Sequence, residues 1–270
     1  MIRVLRPVAV FALLTVWAFP LYWMLAASLT PEARLFDAPP IVPTSLVLDH
    51  YRALFDERQF WVPIRNSLMV AGLTTLLAVP IAVCAAYAVS RLRFRGARLL
   101  LAGVLAISVF PQISVVSPLY LLLRSLRLID TYPGLVLPYL TFAMPLAVWL
   151  MAGFFRQLPR DLEEAALMDG ASRIRAAVEI IVPLAAPAIA TTAILTFLYA
   201  WNEFLFALSF TLGPDRQTVP VAIALFRGQY QVPWGQVLAA AAVASVPVAI
   251  VVFAFQRRLV KGLTAGAVKG

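Results

Sequence analysis

Cysteine, histidine and charged side chains are all scarce in this chain. Its 270 residues include one cysteine, one histidine and 13% charged residues. A single cysteine excludes disulfides within the chain, and one histidine without cysteine or carboxylate partners at ligand spacing does not make a metal site. We therefore expect Cys84 to be a small packing residue within a helix and His50 to lie at the surface.

The motifs that carry nucleotide or hydrolytic chemistry are also missing. The chain has no GxxxxGK(S/T), HExxH or GxSxG pattern, so it lacks the usual means to cradle nucleotide phosphates, hold a catalytic zinc or present a nucleophilic serine. Within its long apolar stretches the one acid is Glu203, whereas ion-driven pumps usually carry several ionisable residues at membrane depth. The sequence predicts a protein that is not an enzyme and has no energy source of its own.

Apolar residues dominate what is present. Hydrophobic residues make up 62% of the chain and its mean hydropathy is +0.89, so its charged residues are too few to cover a soluble helical core. Six stretches of 23 to 29 residues contain no Asp, Glu, Lys or Arg, and about 20 apolar residues in a helix cross the hydrocarbon layer. We predict an all-α integral membrane protein with a single domain of six transmembrane helices. The predicted spans lie at about residues 8–28, 67–90, 99–123, 134–155, 183–211 and 236–256.

Positive charge indicates which side of the membrane each loop occupies. With the N-terminus inside, the inner segments hold 14 lysines and arginines and the outer loops hold 8, as the positive-inside rule requires. The acid-free segment RLRFRGAR, residues 91–98, is the strongest single indication. Both termini and the tail 257–270 are then cytoplasmic, and the net charge of +9 reflects loop positions rather than nucleic-acid binding. A cleaved signal peptide is the alternative for the N-terminus, but its apolar run exceeds the usual length of about 7–15 residues.

The first outer loop, residues 29–66, combines a proline-rich part, DAPPIVPTS, with the segment LDHYRALFDERQFW. In that segment Leu48, Tyr51, Leu54 and Phe55 recur at helical spacing, which predicts an amphipathic helix on the outer surface. Prolines also occur inside the predicted spans, at positions 20, 80, 111, 118, 138, 145, 187 and 247. Transport proteins use such kinks to shape a cavity, so the prolines favour a working bundle over a simple anchor.

The loop 156–182 places three acids within seven residues of an otherwise apolar chain. Pro159 can stand in the first turn of a helix whose positive end receives Asp161 and Glu163. Gly170 then permits a turn, and Ser172 can cap a second helix. Two short helices at an angle would form a protrusion below the membrane at which another protein could dock. The alternative is a solvated loop whose charges keep it out of the lipid.

The spacing in this loop resembles the signature of one transporter family. The matching residues are Glu164-Ala165-Ala166, Gly170, Ile180 and Val182-Pro183. This pattern resembles the EAA motif of permease subunits in ATP-binding-cassette (ABC) importers, with valine where the family has leucine before the proline. The ending QRRLVKGLTAGAVKG and the AWNE sequence at 200–203 are similar to the second permease of maltose-type carbohydrate importers. The resemblance covers nearly the whole chain and is nearest to trehalose importer permeases of mycobacteria.

This resemblance implies an ABC importer permease fold in which the loop 156–182 docks into a cleft on a separate ATPase. By analogy Glu164 pairs with a basic group there, Ala165 and Ala166 permit close packing, and Gly170 sets the elbow between the two helices. The residues implied in ATPase contact are Glu163, Glu164, Ala165, Ala166, Met168, Asp169, Gly170 and Ala171 in the loop, with Gly262, Leu263, Thr264 and Gly266 near the C-terminus.

The resemblance also implies a set of partners in the bacterial cytoplasmic (inner) membrane. One bundle supplies half a pathway, so a second related permease, an ATPase dimer carrying ATP and magnesium, and an extracytoplasmic sugar-binding protein are expected. No cofactor is implied for this chain. The implied cargo is a sugar, a disaccharide such as trehalose or maltose. A polyol, glycerol phosphate or another solute is an alternative, as is a secondary transporter, and an embedded enzyme or scaffold is a more distant one.

Three residues in the fifth predicted span are candidates for the translocation pathway. Asn202 and Glu203 could offer hydrogen bonds to sugar hydroxyls at membrane depth, and Trp201 could stack on a sugar ring. The alternative is that Glu203 is solvated near the outer interface or paired with a neighbouring subunit, and that Trp201 is an ordinary interfacial aromatic.

Overall fold

A computed structural model of the chain describes residues 2–36, 46–92, 95–226 and 232–265. Within these ranges all regular structure is helical, and no β-strand is present. The helices are α1 Ile2–Ser28, α2 Asp49–Arg52, α3 Trp61–Arg91, α4 Ala97–Val109, α5 Gln112–Ser125, α6 Tyr132–Gln157, α7 Asp161–Met168, α8 Arg173–Ala176, α9 Val182–Leu184, α10 Ala186–Asn202, α11 Leu205–Phe210, α12 Val219–Ala224 and α13 Trp234–Ala265. The all-helical prediction is confirmed.

The described residues contain four to six candidate membrane spans. Four single helices are long and apolar enough to cross a membrane, namely α1, α3, α6 and α13. Two further pairs qualify only when taken together, and each pair is sharply bent. The third predicted span consists of α4 and α5, which meet at 94°, and the segment Arg173–Leu184 meets α10 at 74°. The predicted number of six spans therefore requires each bent pair to count as one.

Proline explains the bend between α4 and α5. Pro111 cannot donate a backbone hydrogen bond, and its ring forces the preceding residue out of the helical region. Phe110 accordingly has φ −74° and ψ 129°, which is extended. Pro111 then stands immediately before the first residue of α5. Seven other prolines, by contrast, lie inside continuous helices, at positions 7, 20, 80, 118, 138, 145 and 247.

The centre of the bundle is formed by α3, which packs along α6 and against α10. Small residues allow this close approach. The fully buried alanines on α3 are Ala71, Ala78, Ala82 and Ala86. In contrast, α1 packs chiefly on α13, and an apolar stretch of 18 residues within it has no residue buried within the chain. Its exposed apolar side chains, such as Trp17 at 75% exposure, are suited to lipid or to another subunit.

The outer loop departs from two expectations. Helix α2 forms within the predicted amphipathic segment, but a wide turn at Ala53–Glu57 follows it, so Leu54 is fully buried while Phe55 remains exposed. His50 was expected at the surface and is instead buried, with its Nε2 atom 2.9 Å from the carbonyl oxygen of Thr30. Space for the ring comes from Gly235, where a Cβ would collide with His50. The proline-rich part at 37–45 lies outside the described residues.

Candidate coupling site

The loop after α6 folds into two short helices. Helix α6 ends at Gln157 because Leu158 precedes a proline and takes extended angles, φ −70° and ψ 137°. Pro159 stands in the connection just before α7, not in its first turn as expected. The first turn of α7 carries Asp161, Glu163 and Glu164, and these acids are favourable at the positive end of the helix.

Gly170 makes the elbow between α7 and α8. Its φ is +84°, a left-handed conformation that residues with a Cβ rarely adopt. The amide of Gly170 donates to the carbonyl of Leu167 at 3.1 Å, and the amide of Ala171 donates to that of Ala166 at 3.0 Å. This pair of bonds is the Schellman helix ending. Ser172 then caps α8 by accepting from the Arg175 amide at 3.2 Å, which confirms the predicted turn and cap.

The two adjacent glutamates of α7 point in different directions. Glu163 is 8% exposed, and its Oε1 atom accepts a hydrogen bond of 2.6 Å from the Tyr87 hydroxyl on α3. Glu164 is exposed and forms no ion pair or side-chain hydrogen bond with the described part of the chain. Glu163 therefore attaches α7 to its own bundle, while the Glu164 carboxylate is available to a partner.

Further contacts hold the base of α7 against the membrane helices. The Arg91 guanidinium at the end of α3 donates to the carbonyl oxygen of Leu158 at 2.8 Å. The Tyr87 ring packs edge-on against Phe155 with centroids 6.2 Å apart. Ala166 is buried on the same side of α7 as Glu163. Because hydrogen bonds and apolar packing act together here, we expect α7 to move with α3 and α6 as one body.

The opposite side of α7 is open, and we call it the docking face. It consists of Glu164, Ala165, Met168 and Asp169, all exposed, with Met168 at 89%. These positions fall within one side of a helix by their spacing. Of the two alanines in the motif, Ala165 is therefore available for contact and Ala166 is not. Gly170 is exposed and Ala171 is half-buried at the edge of this face.

The three pathway candidates occupy different surroundings. Trp201 is 3% exposed and stacks on Phe197 with ring centroids 5.8 Å apart. Asn202 is exposed, and its Nδ2 atom donates to the carbonyl of Leu198 at 2.7 Å. Glu203 is 6% exposed. Within this chain, Trp201 and Glu203 face the core of the bundle and Asn202 faces outward.

Glu203 marks a break in the fifth predicted span. Helix α10 stops at Asn202, and Glu203 takes extended angles. Its two carboxylate oxygens accept hydrogen bonds from the amides of Phe206 at 2.8 Å and Ala207 at 3.1 Å, so it caps the start of α11. The available signal was an acid within an apolar run, because negative side chains are favourable at the N-terminal end of a helix.

Three of the four C-terminal residues predicted to contact the ATPase lie in a helix, within the segment that was predicted as a tail. Gly262, Leu263 and Thr264 belong to the last turns of α13, which runs to Ala265. Gly266 lies outside the described residues. Their contact with an ATPase stays a prediction.

Asn66 is a structural residue that the sequence reading missed. It is fully buried near the start of α3, at the opposite end of that helix from Tyr87. Its Nδ2 atom donates to the carbonyls of Asp215 at 2.9 Å and Gln217 at 3.0 Å, and its Oδ1 atom accepts from the Tyr132 hydroxyl at 2.7 Å. The residue thus attaches the connection between α11 and α12 to α3 and α6. An asparagine at the edge of an apolar stretch gives no sign of such partners.

We expect Asn66→Leu to release the connection that contains Arg216. Four hydrogen bonds are lost, including a long one of 3.4 Å from Arg65, and each buried group left unpaired costs about 1–3 kcal/mol. Local opening should then accelerate trypsin cleavage after Arg216 roughly tenfold or more. The cleavage rate would be measured by mass spectrometry of the fragments, in membrane vesicles that are accessible to the protease. The control is Asn202→Leu, which removes one exposed hydrogen bond. Equal cleavage rates in the wild type and Asn66→Leu would contradict this role.

Comparison with known proteins places these features in a family. Residues 78–265 match the family described as binding-protein-dependent transport system inner membrane component. The chain is 47% identical over 253 residues to the trehalose transport system permease protein SugB of Mycobacterium tuberculosis, covering 93% of this chain and 92% of that protein. It is 42% identical over 270 residues to the trehalose/maltose transport system permease protein MalG of Thermococcus litoralis, covering 99% and 97%.

A solved structure shows the same fold. A chain of a bacterial ABC transporter involved in the import of the acidic polysaccharide alginate superimposes with a TM-score of 0.78 at 21% identity, covering 95% of each chain. The family match spans well over half of the chain, and both relatives cover nearly all of it. The chain therefore belongs to the family of inner membrane components of binding-protein-dependent transport systems.

Proposed function

We propose that this chain forms half of the translocation pathway of an ATP-driven sugar importer and receives the energy of a separate ATPase through α7. The observation that best supports the coupling role is the difference in surroundings between the Glu163 and Glu164 side chains. One glutamate is buried against Tyr87, and its neighbour is exposed on the docking face. A helix that is fixed to the bundle on one side and exposed on the other is suited to transmit a displacement of the bound ATPase to the bundle.

Rigid-body movement is the proposed mechanism. Closure of an ATPase dimer would move the docking cleft of the ATPase. Helix α7, bound in that cleft, would move with it. Because Tyr87 of α3 bonds to α7 and Arg91 of α3 bonds to Leu158 in the connection before α7, the displacement would reach the centre of the bundle. An ion pair between Glu164 and a basic group of the cleft would be partly desolvated and so stronger than a surface pair.

The remaining partners follow from the family and the size of the bundle. A second related permease would supply the other half of the pathway, and an extracytoplasmic binding protein would deliver the cargo. ATP and magnesium would bind to the ATPase subunits. The trehalose and maltose systems named for the two relatives support a disaccharide cargo. We further propose that Gly262, Leu263 and Thr264 at the end of α13 approach the ATPase.

For the pathway, the placement of the three candidates favours Asn202. Its side chain faces outward from this half of the bundle, where a second permease would complete a channel. Trp201 and Glu203 would act indirectly, since both are buried and Glu203 holds the start of α11.

Tyr87→Phe tests the attachment of α7 to α3. The change removes the one hydrogen bond that the described residues donate to the Glu163 side chain, and bonds to charged groups are worth about 1.5–3 kcal/mol. We expect the assembled transporter to hydrolyse more ATP per sugar imported. Glu163→Gln should have a smaller effect, because an amide oxygen can still accept from Tyr87. A hydrolysis-to-transport ratio in Tyr87→Phe equal to that of the wild type would contradict the attachment.

The proposed function as a whole is tested by reconstitution in proteoliposomes. The complete complex would be supplied with binding protein and a panel containing trehalose, maltose, a polyol and glycerol phosphate, while uptake and ATP hydrolysis are both measured. We expect a disaccharide to stimulate both activities, and uptake to persist when ion gradients are collapsed. Uptake that depends on an ion gradient and survives loss of the ATPase would establish the secondary transporter instead.

A further inference from the structure

An apolar groove opens beside α7 at the cytoplasmic end of α3. It lies between α3 and the segment Arg173–Leu184 and encloses about 460 Å³. Its apolar lining includes Val83, Cys84, Ala88, Ile174, Val178 and Val182. Cys84, which was expected to be packed inside the bundle, is exposed in this groove.

The walls of the groove are too apolar for contact with water alone. Ile174 is 78% exposed and Val178 is 59% exposed, although both lie on the short segment that leads into α10. Helix α3 has 31 residues, or about 46 Å at 1.5 Å per residue, and so exceeds a hydrocarbon core of about 30 Å. Its last turns, and the groove beside them, therefore fall at the level of the lipid headgroups.

One arginine lines this groove, and two more line a cavity beside it. Arg173 lines both the groove and an adjoining polar cavity of about 510 Å³, which also contains Arg91 and Arg160. Arg91 is 7% exposed, and its Nε atom has no hydrogen-bond partner in the described structure. The acids of that cavity are Glu163 and Glu164, and Glu163 is already bonded to Tyr87. Three arginines thus face two carboxylates, and the balance favours an anion.

We propose that the groove binds an anionic phospholipid of the cytoplasmic leaflet, with an acyl chain along Cys84 and Val178 and the headgroup phosphate held by Arg173 beside Arg91. Basic pockets between transmembrane helices on the cytoplasmic side recognise anionic headgroups in this way. Charge-assisted hydrogen bonds from arginine suit a phosphate, and burial of methylene groups adds to the binding. A protein segment would fit only if its sequence placed apolar residues in the groove and an acidic residue beside Arg173. A phospholipid combines an apolar chain and an anionic headgroup in one molecule.

This inference rests on the cytoplasmic orientation of the loop but not on its coupling role. Lipid retention can therefore be measured without ATP or sugar, and the two proposals can fail separately. The assembled complex would be purified in detergent containing equal amounts of phosphatidylglycerol and phosphatidylcholine, and the lipids it retains would be counted by native mass spectrometry. We expect phosphatidylglycerol to be retained in preference to phosphatidylcholine.

Two variants and a matched control locate the site. Arg173→Gln should lower the retained phosphatidylglycerol roughly threefold or more, in line with the loss of a charged phosphate contact. Arg175→Gln, on the same helix, should leave it unchanged, because Arg175 lines neither cavity and pairs with Glu179 at 3.0 Å. Cys84→Trp fills the groove without a change of charge and should also lower retention.

Several results would overturn the proposal. These are equal retention of the two lipids, equal retention in Arg173→Gln and the wild type, or an unchanged count in Cys84→Trp. Retention by the isolated chain that disappears in the assembled complex would also overturn it, since a partner subunit would then occupy the groove.

Discussion

Glu164→Lys is expected to abolish ATP-driven uptake by the assembled transporter while leaving the chain in the membrane. The side chain is exposed on the docking face and forms no ion pair or side-chain hydrogen bond within the described chain, so its replacement breaks no contact that holds the bundle together. Charge reversal would place a lysine against a basic cleft. Loss of one partner of a desolvated charge pair costs about 2–5 kcal/mol, so the ATPase should co-purify at least roughly tenfold less, as measured by affinity capture through this chain.

A matched charge reversal separates docking from general electrostatics. Asp161→Lys makes the same change on the same helix, in its first turn and outside the motif. It should cost at most about 1 kcal/mol through the helix dipole, with the ATPase still bound. Normal uptake in Glu164→Lys, or an equal loss in both variants, would contradict a specific role for Glu164.

Gly170→Pro should uncouple ATP hydrolysis from uptake. Proline fixes φ near −65° and lacks an amide hydrogen, whereas Gly170 has a φ of +84° and donates to Leu167. The helix ending would be lost at a cost of about 3 kcal/mol, and α7 would no longer hold its angle to α8. The expected result is a complex that hydrolyses ATP without sugar accumulation, measured in proteoliposomes.

Gly170→Asn is the control for this substitution. Asparagine adopts the left-handed region more readily than other residues with a Cβ, and a Cβ at position 170 would have no atom within 4 Å. Most of the coupled uptake should remain. If proline and asparagine at this position gave the same uptake, the geometry of the elbow would have no part in coupling.

The features that the sequence predicted well depend on local rules. The length of the charge-free stretches follows from the thickness of the bilayer. The turn at Gly170 and the helix cap at Ser172 follow from backbone preferences at helix ends. These signals need no knowledge of the neighbouring helices. The EAA spacing likewise lies within one short segment, and its role in coupling stays a prediction.

The features that it missed depend on tertiary contacts. Glu163 and Glu164 are identical neighbours in the sequence, and only the position of Tyr87, 76 residues away, makes one of them an anchor. Proline shows the same limit, since Pro111 breaks a span while Pro80 lies within an unbroken α3. Asn66 was overlooked because its partners at 215 and 217 lie about 150 residues further along the chain.

Photocrosslinking from the docking face tests the central claim most directly. Met168 is 89% exposed on α7, and Leu46 is 71% exposed in the segment between α1 and α2. Each would be replaced in turn by p-benzoylphenylalanine in the full transporter, followed by irradiation and identification of the adducts by mass spectrometry. We expect an adduct with the ATPase subunit from position 168 and none from position 46. Absence of an ATPase adduct from position 168, or an equal one from position 46, would contradict it.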